Sequence, residues 1–571
     1  MRRFTASLGS SSDSTSDSDS DSDSGSGSDS TSDSGSTRRV TGDRPSVRFL
    51  LFVGLVLAAS VVVRLVLLGR QSYWIDELFS VNESSASFRR MLRIGSTEIH
   101  TPFYAALLWV WMKIGSTHEV WTRSLSTLCA VIAVPVTYRG LAAVRLGDHV
   151  RWALTVALAA GGTSIVYSLE TRSYALLLLG SAGLTVVTLR AALLTLSGAD
   201  IPRRVYLSWA GWVTLAATAH LFGAVLTFGA VTVLVVVTVV RAPRASVRRV
   251  LTWAVLAAAG CALQVAWVVH GLQQPEFASG TDWIRAPNRA DLWDLATTTF
   301  SSGTMKTHTD GFAWISPIGV LSVVALVLLS AGYGYRARRR TAQAEVTGPV
   351  EGTSPVEVTR EAEVTREGQA AAVLLALATI VIVLVFGISQ WKHVWTLRNM
   401  VIVMPALVWG VICLSAWAAR TAAGRRRVAT VVVALLGLSL IPTTIGLTHP
   451  YKTDFRGLLD YLSAVQAEQP AARAVFIGRD SPKNWRAASG RPDDPVLAAV
   501  YRQAIRYRRL SAYPKPPLDG GARPSETEVV VYYPGVASRH FEERAASLLA
   551  RFDQSSCRRI PIHGLIVIRC H

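Results

Sequence analysis

The chain has 571 residues, half of them hydrophobic and only 17% charged, with a mean hydropathy of +0.32. This composition lies outside the usual range for a soluble domain of this length. A net charge of +19 raises nucleic acid as a partner, but the arginines stand between apolar runs rather than on one accessible face. That spacing is the positive-inside pattern, so the expected partner is a lipid bilayer and nucleic acid is set aside. Arginine far outnumbers lysine, as in proteins of high-GC prokaryotes.

Residues 1–45 are mostly Ser, Asp, Gly and Thr and cannot bury enough apolar area to offset ordering, so they read as a disordered cytoplasmic tail. Asp17, Asp19, Asp21 and Asp23 fall in DxD spacing there, a product of low complexity rather than an ordered cation loop. The first apolar run, 49–68, begins too late for an ordinary signal peptide and reads as an uncleaved first span.

Further runs of membrane-crossing length lie near 121–138, 151–168, 174–194, 205–222, 224–240, 250–270, 313–333, 370–388, 399–419 and 428–447. With the N-terminus in the cytoplasm and eleven spans, the clusters at 139–151, 203–204, 241–249, 336–340 and 425–427 all fall inside. That count requires "FYAALLWVWMKIG", 103–115, to lie in the interface, and it is too short to cross.

The fold expected is an all-α polytopic membrane domain over 46–448, with about 11–13 transmembrane helices in the cytoplasmic membrane. Its outer loops are 69–120 and 271–312, and the polar stretch 341–369 is a disordered cytoplasmic linker. Helix-like and strand-like pieces alternate over 449–571, which suggests a small α/β extracytoplasmic C-terminal domain. Cys557 and Cys570 flank "RRIPIHGLIVIR" about His563–Gly564, so a hairpin would bring the sulfurs opposite each other; paired and free thiols both remain open.

This topology gathers polar residues at outer helix ends. Asp76 and Glu77 follow span one; Glu98, His100 and Tyr104 open the interfacial helix; Glu170, Arg172 and Tyr174 sit at the next outer turn. His220 ends span five, and Lys392, His393 and Arg398 occupy a later outer turn. Each alone fits a cap or a snorkelling end, but carboxylates beside cations and imidazoles suit a charged lipid headgroup and a hydroxyl to be activated.

In order, "WIDELFS", "HTPFY", "YSLETRSYALL", "AHLFG" and "DFRGLLDYL" resemble the multi-span C-type (GT-C) glycosyltransferases. These include protein O-mannosyltransferases, which are family 39-like, lipid A aminoarabinose transferases and the RgtA/B/C/D-like proteins. Thr101 stands where the family carries the first proline of HPP. The resemblance implies transfer of a sugar from a polyprenyl-phosphate donor to a hydroxyl acceptor of unknown identity outside the cytoplasmic membrane. It implies Asp76 as catalytic base, with Glu77 orienting it or a metal, and Arg172 and Arg398 as binders of the donor phosphate. His100 would assist the phosphate or ligate a metal; no cofactor is certain and a divalent metal is an open option.

Tyr73, Trp74, Trp283 and Trp391 suit either sugar-binding walls or an interfacial aromatic belt, and the belt is the expectation. Two other functions fit a polytopic chain with charged outer ends: a transporter or flippase for a lipid-linked sugar, and a non-catalytic membrane scaffold.

Overall fold

The computed structural model describes residues 45–96, 101–241, 246–273, 284–300, 315–345, 355–450, 452–469, 473–477, 528–532, 550 and 553–570. The tail 1–44, Glu98, His100 and Trp283 lie outside the described residues.

The first span, α1 (Val47–Leu67), is followed by three short helices, α2 (Ile75–Ser85), α3 (Phe88–Gly95) and α4 (Phe103–Ile114), before α5 (Glu119–Ala142). The twelve residues of α4 are too few to cross. Tyr104, Ala105, Leu108 and Met112 give it a buried stripe at helical spacing, while Val110 and Ile114 are exposed.

The run read as one span over 151–168 is two helices, α6 (Asp148–Ala160) and α7 (Gly162–Ser168), bent by 43°. Gly161 is extended at the break, where a Cβ would meet the Ala157 carbonyl at 2.6 Å. Arg64 of α1 supplies donors beside the interrupted ladder: Nη2 to the Ala159 carbonyl (2.8 Å) and Ser164 Oγ (2.9 Å), and Nε to Ser168 Oγ (3.0 Å). A buried polar side chain thus satisfies backbone that hydrocarbon could not.

Next come α8 (Tyr174–Leu196), α9 (Arg203–Ala219), α10 (Leu221–Arg241), α11 (Ser246–Gly271) and α12 (Arg289–Phe300). The central helix is α8, with 89% of its apolar window buried, so it is hydrophobic all round rather than on one stripe. The chain continues through α13 (Ile315–Glu345), α14 (Pro355–Ile388), a 3-10 turn at Asn399–Val403, α15 (Met404–Ala419) and α16 (Ala422–Thr448).

Among the described residues, eight helices are long and apolar enough to cross a membrane, or nine with the bent pair as one span. The sequence count of eleven also included the runs that become α9, of 17 residues, and the shorter apolar stretch Val320–Arg336 within α13.

The expected disordered linker needs correction at both ends. Residues 341–345 continue α13, and 355–369 are the first turns of α14. Glu367, fully buried 3.6 Å from Arg425 Nε of α16, anchors that end of α14. The stretch 346–354 lies outside the described residues.

Beyond α16, α17 (Phe455–Glu468) precedes a four-stranded sheet of order β1-β2-β4-β3, formed by β1 (Arg473–Ile477), β2 (Glu528–Tyr532), β3 (Cys557–Ile562) and β4 (Leu565–Cys570). Strands β1 and β2 are parallel, and the remaining pairs are antiparallel. The β3–β4 turn is His563–Gly564, where glycine supplies a φ of +73°. Cys557 and Cys570 face each other across the hairpin and are joined in a disulfide. The all-α polytopic body with a small sheet at its C-terminal end is the architecture the sequence leads one to expect.

Candidate functional site

Asp76 and Glu77 occupy the first turn of α2, where the helix dipole favours carboxylates. Neighbours on a helix point about 100° apart, so the two carboxylates enter different environments.

Glu77 is fully buried. Arg123 of α5 grips it with two parallel bonds, Nε to Oε1 and Nη2 to Oε2, each 2.8 Å. The Thr171 N–H donates to Oε1 at 2.9 Å and Lys452 Nζ to Oε2 at 3.0 Å. Burial alone would raise this carboxyl, but Arg123, then Lys452 and the Thr171 N–H, hold it down at about 2. A carboxylate so enclosed is closed to solvent and ties α2 to α5 and to Lys452. It is also a poor cation ligand, because an incoming ion would meet two positive side chains already on its oxygens.

Asp76 is half-buried, with 28% of its side chain exposed, and its Oδ2 pairs with Arg398 Nη1. The Arg398 guanidinium also lies 5.0 Å over the Trp74 ring. Arg172 approaches the same helix, donating from Nη1 to Ser80 Oγ (3.1 Å) and the Asp76 carbonyl (3.4 Å). The two arginines singled out in the sequence therefore converge on the helix that carries Asp76.

Glu170 lies behind them, its Oε1 3.6 Å from Lys452 Nζ. Burial pushes its carboxyl above the usual range, and Lys452 only partly opposes this. Tyr174 packs at a tilt between Tyr167 (5.0 Å) and His220 (5.8 Å), within electrostatic reach of Arg398. His220 ends α9 in extended backbone and accepts the Phe222 N–H at Nδ1, 3.2 Å away. Tyr104 is placed further back: its hydroxyl meets Ser126 Oγ at 3.0 Å, and Ser126 donates to the Arg172 carbonyl at 3.2 Å.

Lys392 and His393 are exposed on the turn before Arg398, so they remain at the rim. Tyr73 is not a belt residue: it is 1% exposed, bonded to the Thr117 carbonyl at 2.9 Å, and its ring lies under Arg123. Trp74 backs the Asp76–Arg398 pair, which also removes it from a belt. Trp391, 86% exposed, keeps that expectation. Among the described residues no three His, Cys, Asp or Glu side chains group to hold a metal.

Sequence reasoning missed the cations that build the site's floor. Arg123 sits in "EVWTRSLSTL", one turn inside an apolar run, where a buried charge demands a partner. Lys452 and Arg456 fall in a polar stretch with no such signal. Arg456 bonds Glu119 Oε1 (3.0 Å), the Gln71 carbonyl (3.1 Å) and, through its N–H, Ser72 Oγ (3.0 Å). Gln71 in turn donates to the carbonyls of Leu447 and His449, at 3.0 and 2.8 Å. Residues 447–450 and 452–456 thus clamp the segment leading into α2.

No protein-family model and no curated protein matches the chain. Among solved structures it is similar to ArnT from Cupriavidus metallidurans. The form of that protein bound to undecaprenyl phosphate aligns at 15% identity and the apo form at 14%. Each alignment covers 91% of this chain and 98% of the other, with a TM-score of 0.38.

Proposed function

We propose that the protein is an integral membrane glycosyltransferase that moves a sugar from a polyprenyl-phosphate donor to a hydroxyl acceptor, with inversion, on the outer face of the cytoplasmic membrane. The observation that carries this reading is the half-exposed Asp76–Arg398 pair on a helix held from behind by the buried Glu77 network.

The donor phosphate competes with Asp76 for Arg398. When the guanidinium turns to the phosphate oxygens, in the two-point geometry it favours, Asp76 is released as a base. The acceptor oxygen then attacks the anomeric carbon, its proton passes to the Asp76 carboxylate, and the bond from that carbon to the phosphate oxygen breaks. Arg398 and Arg172 stabilise the charge that develops on the departing polyprenyl phosphate. Glu77, Arg123 and Lys452 hold α2 so that Asp76 needs no reorganisation during the step.

The break at Gly161 favours a second reading, because discontinuous spans are a feature of transporters. The transferase reading is tested with purified protein in nanodiscs, offered a panel of polyprenyl-phosphate sugars and acceptors extracted from the cell envelope, and the transporter reading with the same protein in sealed vesicles loaded with the sugar-lipids. Covalent transfer that Asp76→Asn abolishes supports the transferase. Sugar-lipid movement across vesicles that Asp76→Asn leaves intact, without transfer, supports the transporter.

A further inference from the structure

Three arginines in α3, "FRRMLRIG", contribute nothing to the network around Asp76, and they stand in a short helix of the loop read as outer, apart from the inter-span clusters read as cytoplasmic. One face of α3 is fixed: Met91 is fully buried, and a Cβ at Gly95 would come within 2.9 Å of Glu83 Oε1 and 3.3 Å of Pro102 Cβ. Arg89, Arg90 and Arg93 are exposed, and α3 contains no acidic residue. At 100° per residue they form one arc, and Phe88 and Leu92 lie on its flank.

That flank is also uncovered. Phe88 is 45% and Leu92 36% exposed, and the Phe88 ring meets Trp109 edge-on at 5.5 Å. On α4 the apolar strip continues through Val110 and Ile114, with Lys113 beside the Trp109 ring. Trp109 Nε1 donates to the Ala86 carbonyl at 3.1 Å, which fixes the link between α2 and α3. Because α1 and α5 tether this segment to the bilayer at both ends, the strip lies at the membrane surface.

We propose that α3 is a docking helix for anionic phospholipid headgroups of the leaflet on the Asp76 side. Its arginines hold the phosphates, and Phe88 and Leu92 enter the acyl boundary. A guanidinium near a charged leaflet raises local anionic-lipid occupancy roughly fivefold, so three in one arc select strongly. The proposal does not rest on the transfer reaction, and its test needs no substrate.

Ser87 is exposed, and its side chain makes no cap bond, so Ser87→Cys is a benign labelling site. Cys129 and Cys413 are buried and Cys557 and Cys570 are bonded to each other, while the free, partly exposed Cys261 is replaced by alanine in the labelling background. A fluorophore at Ser87→Cys is read in phosphatidylcholine nanodiscs carrying equal mole fractions of brominated phosphatidylglycerol or brominated phosphatidylcholine.

The expected result is stronger quenching by the brominated phosphatidylglycerol. The bias should disappear in R89Q/R90Q/R93Q and persist in R89K/R90K/R93K, which keeps the charge and controls for folding. Equal quenching by the two lipids, or a bias that survives the glutamine variant, overturns the proposal. So does the absence of lipid bias together with a response to a soluble polyanion such as dextran sulfate, which would mark the arc as a surface for an anionic polymer.

Discussion

Lys452 places its ammonium 3.0 Å from Glu77 Oε2, joining residues 375 positions apart. The contact links the strap after the last span to the first helix after the first span. It stands on the floor of the site, beneath Asp76.

Removing Lys452 should therefore act on both stability and activity. Lys452 and Glu77 are nearly inaccessible, with 3% and 0% of their side chains exposed, so Lys452→Met strands part of a buried charge. Loss of one partner from such a pair costs about 3 kcal/mol, here moderated because Arg123 still grips Glu77. The check is thermal unfolding in detergent alongside transfer activity: both should fall, and an unchanged melting temperature would remove Lys452 from the scaffold.

Asp76→Asn should separate chemistry from folding. Its side chain is half-exposed and engages one arginine, so the melting temperature should stay close to that of the wild type. On the proposed function, loss of the Asp76 carboxylate should slow transfer by about 100-fold or more, with the donor still bound. Donor binding and single-turnover transfer, measured on the same preparation, test this.

Glu77 and Glu170 should give opposite pH signatures. Glu77 titrates near 2 in the folded protein, below its ordinary value of 4.5. Its contribution is therefore complete above about 4.5 and is lost as the pH falls toward 2. Glu170 has a raised pKa, so its burial penalises stability as the pH rises through that folded value. Melting curves from pH 3 to 8 should show Glu77→Gln destabilised at neutral pH, with a flatter acid limb. Glu170→Gln should equal or exceed the wild type at neutral pH.

Reduction of the Cys557–Cys570 disulfide should loosen the β3–β4 hairpin. The bond closes a loop of 13 positions, for which the chain-entropy model gives about 3 kcal/mol. Hydrogen exchange should rise over 557–570 in the double Ser variant. It should also rise at Asp454, whose N–H is bonded to the His563 carbonyl at 2.9 Å.

The membrane body was legible because apolar length is a strong signal, and the span ends then brought Asp76, Arg172 and Arg398 to one side. The split between α6 and α7 was written in Gly161–Gly162, but an apolar run that continues across a glycine pair reads as one span. Arg64 and Arg123 carried a signal that was not used, a charge inside an apolar run. Lys452 carried none, because its role depends on a contact set only by the folded chain. Likewise, nothing in "DE" says which carboxylate faces inward; the positions of Arg123 and Lys452 decide that.

The clamp formed by residues 447–450 and 452–456 has a consequence for biosynthesis. As the chain leaves the ribosome, α2 can meet Arg123 early, but Lys452 emerges only after the remaining spans have been inserted. The His563 carbonyl that caps the strap at the Asp454 N–H arrives later still, about a hundred residues further along the chain. The helix bearing Asp76 thus gains its final support only after the last span has been made, and chains that have not yet reached Lys452 enter the membrane before they hold a finished site.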